Sequence, residues 1–262
     1  MDNCTLRTGD CNGEEVVTLI VIRNLSKSFR RANNFAVADF SLSIDNGEIV
    51  GLIGINGAGK TTIMRLAAGV IAPTSGNISI DGYNVRTEKV KASRSLGWVP
   101  ETPNFDPSLR PTDLMVYFGG FYGMSGKEAR ERGNVLLEQV GLGKQKNKRI
   151  KAFSQGMKKR FALAVSMLND PMNYLFDETF NGLDPEGVRT LRHLILDLKL
   201  RKRAILFSSH ILTEIENIAD RVAIIDKGSL IDVISRDQLD LIKKKGGNLE
   251  DYFFSFIDVK SE

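Results

Sequence analysis

The stretch "EIVGLIGINGAGKTT", residues 48 to 62, admits few folds. Its first half is a β-branched, apolar run that reads as a buried strand. Its second half fits G-x-x-x-x-G-K-[ST] and opens a helix, which is the context a phosphate-binding loop requires. Gly54, Gly57 and Gly59 permit positive φ and put no side chain in the way. The backbone N–H groups of the loop, with Ile55, Asn56 and Ala58 among its residues, can therefore converge on phosphate oxygens. Lys60 can reach the β- and γ-phosphates of ATP, the Thr61 hydroxyl can ligate Mg²⁺, and Thr62 adds a donor at the helix N-terminus.

The remaining pattern agrees with a nucleotide-binding sheet. Strand-like segments "VVTLIVIRNL", "FSLSI" and "NISIDG" flank the loop, with a helix from Lys60 to Ala68. From Thr102 to Asn169 the character turns helical, which predicts an inserted helical subdomain. After Pro171 strands return as "MNYLFDE", "RAILFSSH" and "RVAIIDKG", with a helix from Pro185 to about Leu200. Strands alternating with helices indicate an α/β domain with a mostly parallel sheet. The predicted organisation is a loose polar tail over 1–17, one domain over 18–234 with its helical insert at about 102–169, and a C-terminal extension over 235–262. The ending "GGNLEDYFFSFIDV" reads as a terminal element docking aromatic residues.

Composition narrows the class less than it excludes. A net charge of +4 is compatible with nucleotide, nucleic acid or anionic lipid. The basic runs lack interleaved aromatics, so nucleic acid is not expected as a partner. Cys4 and Cys11 have no nearby His partners, which predicts a reducing compartment and no structural disulfide. The polar N-terminus lacks the apolar core of a signal peptide, and no stretch reaches membrane-spanning length.

A second chemistry-bearing segment is "YLFDE". Its buried strand delivers Asp177 to a strand end, where it can hold the Mg²⁺ shell, and Glu178 beside it can polarise a water for in-line attack. His210 ends the strand "AILFSSH", and strand ends line the ligand crevice of such sheets, so it can contact the γ-phosphate and the attacking water. His193, mid-helix, reads as structural. In "AFSQGMKKRFAL" Ser154 reads as a helix N-cap, yet Lys158, Lys159 and Arg160 crowd a helix start that is already positive. Gln or Glu three residues after the cap would complete a capping box, and Met157 stands there instead. The expectation is a helix start awaiting an anion, with the cations enriching the field and at least one of them solvated.

The ordered series "GINGAGKTT", "FSQGM", "YLFDE", "NGLDP" and "SSH" resembles the nucleotide-binding domain of ABC transporters, from about Thr18 to Gly228. The resemblance implies a P-loop NTPase of the ABC ATPase type, with a parallel core, the helical insert and an antiparallel β subdomain. It implies that Phe29 stacks on adenine, that Ser154, Gly156 and Met157 belong to the signature sequence, and that Asp184 speaks across a dimer interface. It further implies Glu178 as catalytic base. Two motifs depart from the family's usual pattern. Gln155 and Met157 replace a glycine and a glutamine of the signature, and Glu101 replaces the glutamine entering the helical subdomain, where a carboxylate can still ligate Mg²⁺. Both departures resemble the branch serving drug, antibiotic and polysaccharide exporters. The implied protein is an ATP-hydrolysing subunit on the cytoplasmic face of the membrane. It powers a separate permease and pairs head to tail with a second nucleotide-binding subunit. A soluble, non-transport ATPase such as a cluster-assembly ATPase is the alternative.

Overall fold

A computed structural model of the chain describes residues 7–9, 15–29 and 34–258. Strands β1 (Arg7–Gly9), β2 (Glu15–Ser28) and β3 (Phe35–Asp45) come first, and β4 (Ile49–Ile53) runs into helix α1 (Lys60–Ala67). β5 (Ser75–Ile80), β6 (Tyr83–Asn84), a short α2 (Lys89–Arg94) and β7 (Leu96–Val99) follow. Helices α3 (Pro111–Phe121), α4 (Gly126–Gln139) and α5 (Gln155–Ser166) form the insert. The alternation resumes with β8 (Asn173–Phe176), α6 (Pro185–Leu200), β9 (Ala204–Ser208), α7 (Leu212–Ile218), β10 (Arg221–Asp226) and β11 (Ser229–Ser235). Helices α8 (Arg236–Lys244) and α9 (Leu249–Asp258) close the described chain.

Two sheets result. β10, β4, β9, β8 and β7 lie parallel in that order, with β11 antiparallel on the edge of β10. The second sheet is antiparallel and built on β2, which pairs with β1, β3 and β5. The central parallel strands β4, β8 and β9 are buried throughout, as expected when both faces are covered. Their period of two splits the core. Ile49, Ile53, Tyr174, Phe176, Ile205 and Phe207 face the helical insert together with α6 and α7. Val50, Leu52, Leu175, Ala204 and Leu206 face α1 and the antiparallel sheet. Because alternate residues feed opposite cores, a one-residue slip would exchange both faces, so the register at the strand ends is held firmly.

One expectation needs amendment. The stretch read as a loose tail contains ladder residues, since Arg7 pairs with Val17 and Gly9 with Glu15. The β-branched Val16 and Val17 extend β2 backwards, and main-chain pairing needs no side-chain pattern. The two cysteines, Cys4 and Cys11, lie outside the described residues. At the other end, Phe253 is buried on α9 and Leu249 with it, the aromatic docking expected of the terminal segment.

Tyr174 sits fully inside the core with a hydroxyl that finds no partner among the described residues. Burial pushes its phenol well above the ordinary value. An unmet buried hydroxyl costs about 1–3 kcal/mol. Tyr174→Phe is therefore expected to raise the thermal midpoint. Because the folded state disfavours tyrosinate, wild-type stability is complete below the ordinary phenol value and is lost as pH climbs above it. Calorimetry from pH 8 to 11 checks this: the variant should show a shallower alkaline loss.

Candidate nucleotide site

The parallel strands present the candidate residues at one edge. β4 ends at Ile53, and the loop that follows turns back through left-handed backbone at Gly57, with φ 83°, and Gly59, with φ 109°. A side chain at Gly59 would place Cβ 2.6 Å from the Ala36 carbonyl oxygen, so glycine is required on both counts. Gly59 then caps α1, whose first turn carries no acidic side chain of its own to occupy its free N–H groups. Lys60, on the first turn, is 6% exposed. Its ammonium donates to the Gly54 carbonyl at 2.7 Å and lies 3.6 Å from Glu178 Oε1.

β8 carries Asp177 and Glu178 to its end. Asp177 is 1% exposed, and its Oδ1 accepts from Ser208 Oγ at 2.8 Å and from Thr61 Oγ1 at 3.3 Å. Burial pushes its carboxyl above the usual carboxylate range, the two hydroxyl donors pull it back, and Glu101 and Glu178 add to the rise. Glu178 adopts φ 48°, a left-handed backbone that a non-glycine residue holds only when its surroundings enforce it. Its N–H reaches Ser208 Oγ at 2.9 Å. Its Oε2 accepts from Asn181 Nδ2 at 2.9 Å and from the His210 N–H at 3.2 Å, with His210 Nδ1 at 3.1 Å.

Lys60, Thr61, Glu178, Asn181 and His210 line one cleft of about 580 Å³, while Asp177 does not line it and reaches it through its bond with Thr61. Its lining brings together Asn56, Gly57, Gly59, Lys60, Thr61 and Thr62 with Glu101, Glu178 and His210, as the sequence predicted, and adds Ala36 and Asn181. Gly54, Ile55 and Ala58 belong to the same turn, and the Ala58 N–H closes it on the Ile55 carbonyl at 3.1 Å.

Other predicted residues do not line this cleft. Phe29 stands exposed at the end of β2, with the Lys27 ammonium 5.1 Å from its ring centroid. Ser154 is exposed and caps α5, accepting from the Met157 N–H at 3.2 Å. A Cβ on Gly156 would come within 3.0 Å of the Gly182 carbonyl oxygen, so the α5 start rests against the "NGLDP" loop. Met157 packs partly buried against the core. Asp184 caps α6 by accepting from the Gly187 N–H at 3.1 Å. The cations of α5 also differ from expectation: Lys159 is buried and turned into its own chain, while Lys158 and Arg160 are half-buried.

The ABC transporter family profile matches residues 37–181, which include the loop, Asp177 and Glu178. The chain belongs to the ABC transporter family. It is 35% identical over 217 residues to the ABC transporter ATP-binding protein NatA of Bacillus subtilis, covering 81% of this chain and 88% of the relative. To the bacitracin transport ATP-binding protein BcrA of Bacillus licheniformis it is 38% identical, over 85% of this chain and 71% of the relative. A lantibiotic transport ATP-binding protein, SrtF of Streptococcus pyogenes, is 36% identical over 81% of this chain and 89% of its own. The solved structure of an ATP-binding subunit of an ABC transporter superposes with a TM-score of 0.81 at 29% identity, covering 91% of this chain and 99% of that one. A dimeric ATP-binding cassette bound to ADP and phosphate superposes at 0.78, with 22% identity and 83% and 99% coverage, and shares the fold. This ABC protein is thus an ATP-binding, ATP-hydrolysing subunit of a transporter, with the fold that the resemblance implied.

Three residues of the ABC subunit escaped the sequence reading. Ser208 bonds both Asp177 and the Glu178 backbone, Asn181 bridges Glu178 and His210, and Lys159 reaches the Glu178 carbonyl at 2.7 Å. Ser208 and Asn181 sit inside motifs already singled out, "SSH" and "NGLDP", so a hydrogen-bonding requirement around Glu178 was the available signal. Lys159 offered no such signal, because a run of cations reads as surface.

Proposed function

We propose that this subunit drives an exporter, binding ATP between two nucleotide-binding subunits arranged head to tail beneath a separate integral-membrane permease. The observation that carries the pairing is the division of the site. The phosphate loop, Glu178 and His210 share one cleft, whereas Ser154 and Gly156 lie off it, at a helix start with no acidic side chain in its first turn. Such a helix end receives an anion, and the γ-phosphate held by a partner subunit supplies one. In this reading Lys60 and the loop N–H groups hold the phosphates, and Phe29 stacks on adenine. Glu178 takes the proton of the attacking water, and His210 positions that water at the γ-phosphate. Asp184 sits at the interface between the two subunits.

Hard oxygen donors at Thr61, Asp177 and Glu101 suit Mg²⁺. Asp177 already shares a hydrogen bond with Thr61, and the charge of Glu101 acts on Asp177. When bound, the ion neutralises charge on the β- and γ-phosphate oxygens.

The export direction follows from relatives named for bacitracin transport, lantibiotic transport and linearmycin resistance, together with Glu101 and the signature departures. No helix among the described residues is long and apolar enough to cross a membrane. An exposed aromatic cluster on α3, Tyr117 and Phe121 with Phe118 edge-on, offers a surface for the permease, and in this reading the subunit works at the cytoplasmic face. Purification of the tagged subunit from native membranes tests this. An integral membrane protein is expected to co-purify in stoichiometric amount, and recovery solely in soluble complexes would overturn the permease.

A further inference from the structure

Lys159 is 7% exposed, in a stretch of α5 whose neighbours Phe161, Ala162 and Leu163 are core residues. An apolar side chain would fill that position without desolvation, and a buried ammonium persists only where it is paired. Its partner is specific: Nζ donates to the backbone carbonyl of Glu178 at 2.7 Å. Burial draws the Lys159 ammonium below its ordinary value, while Glu101, Glu178 and Asp177 oppose that by favouring the charged form.

This bond completes the restraint on Glu178. The left-handed backbone there is strained, and its N–H is held from β9 by Ser208. Its carboxylate is held by Asn181 and the His210 N–H. Its carbonyl accepts a long bond from the Asn181 N–H at 3.3 Å and a shorter one from Lys159, which is its tie to the helical insert. Removing the ammonium leaves the carbonyl with only the long Asn181 bond, so the peptide plane can relax from a strained conformation. Oε1 and Oε2 would swing with it. Meanwhile α5 is a continuous helix from Gln155 to Ser166, and its start is the anion-receiving end assigned above. Five residues separate Ser154 from Lys159, little more than one turn.

We infer that Lys159 is a positioning residue that fixes Glu178 through its carbonyl and links it rigidly to the Ser154–Gly156 end of α5. Engagement of that end by the partner's nucleotide is then felt at this subunit's own Glu178. The inference rests on the reading of Glu178 as the base, and the experiment separates the two.

Lys159→Met and Lys159→Arg are made in the wild-type and in the Glu178→Gln backgrounds, and phosphate release is measured against ATP concentration. Lys159→Met is expected to lower kcat about 10- to 100-fold, with KM within about twofold, since a small misplacement of a reacting group has costs of that order. Lys159→Arg, which keeps a cationic donor, is expected to recover most of the rate. In the Glu178→Gln background Lys159→Met should change the residual rate less than twofold, because there is no base left to position. An unchanged kcat, or the same fold-loss in both backgrounds, would overturn the inference while leaving Glu178 as base. A Glu178→Gln variant as fast as wild type would remove the base itself, and the inference with it. If Lys159→Met does not fold, Lys159→Gln is carried through the same measurements.

Discussion

Glu178→Gln is expected to lower ATP hydrolysis by about 10²–10⁴-fold while preserving ATP affinity, the loss associated with removing a general base. The geometry makes the substitution a clean one. Glu178 is buried, and its Oε2 accepts hydrogen bonds from Asn181 and the His210 N–H. The amide oxygen of Gln can accept the same bonds in the same volume, so the left-handed turn and the β8 end should survive. What disappears is the negative charge 3.6 Å from the Lys60 ammonium, which removes a competitor for the γ-phosphate. Affinity should therefore hold or improve. On the proposed head-to-tail pairing, in which hydrolysis reopens the closed pair, the variant should accumulate as a dimer in ATP and return to monomer in ADP. Phosphate release and light scattering after size exclusion measure both effects. Hydrolysis at the wild-type rate would show that Glu178 is not the base.

Parts of the site that depend on the backbone were legible in the sequence, and parts that depend on side-chain direction were not. The Gly54–Thr62 loop was readable because glycine spacing dictates where N–H groups can point. Helix α6 was readable at its start because Asp184 and Pro185 mark it in chemical terms. A comparable signal before α8, where Ser235 and Gln238 form a capping box, was present in "SRDQ" and passed over in favour of the aromatic ending. Lys159 was not legible. Its direction is set by packing of α5 against the strand-end turn at Glu178, nineteen residues away, and local charge pattern argues for solvent. The same holds for Ser208, which meets Glu178 across thirty residues and two strands. The question posed by three cations near a helix start thus divides. Lys159 serves its own chain, and the remaining positive field of the helix end stays available to a phosphate.

Mixing two inactive variants should restore activity, and this is the sharpest consequence of a site divided between subunits. Gly156→Asp places a carboxylate at the start of α5, where the helix itself tolerates or welcomes an anion. Its Cβ meets the Gly182 carbonyl oxygen at 3.0 Å, a contact that a shift of a few tenths of an ångström relieves. Folding should survive, but the new charge repels a γ-phosphate approaching that end. Hydrolysis is expected to fall by about 10²-fold or more, comparable to losing a preorganised donor for transition-state charge. A heterodimer of Glu178→Gln with Gly156→Asp then contains one site with both defects and one with neither. In that intact site the Gly156→Asp subunit supplies the phosphate loop and Glu178, and the Glu178→Gln subunit supplies Ser154 and Gly156. Heterodimers isolated with two different tags should therefore regain up to about half of the wild-type rate, although each parent is nearly inactive. If each subunit's α5 start served its own nucleotide, every site in the mixture would keep one defect. No recovery in purified heterodimers would thus overturn the shared site, whatever the behaviour of Glu178.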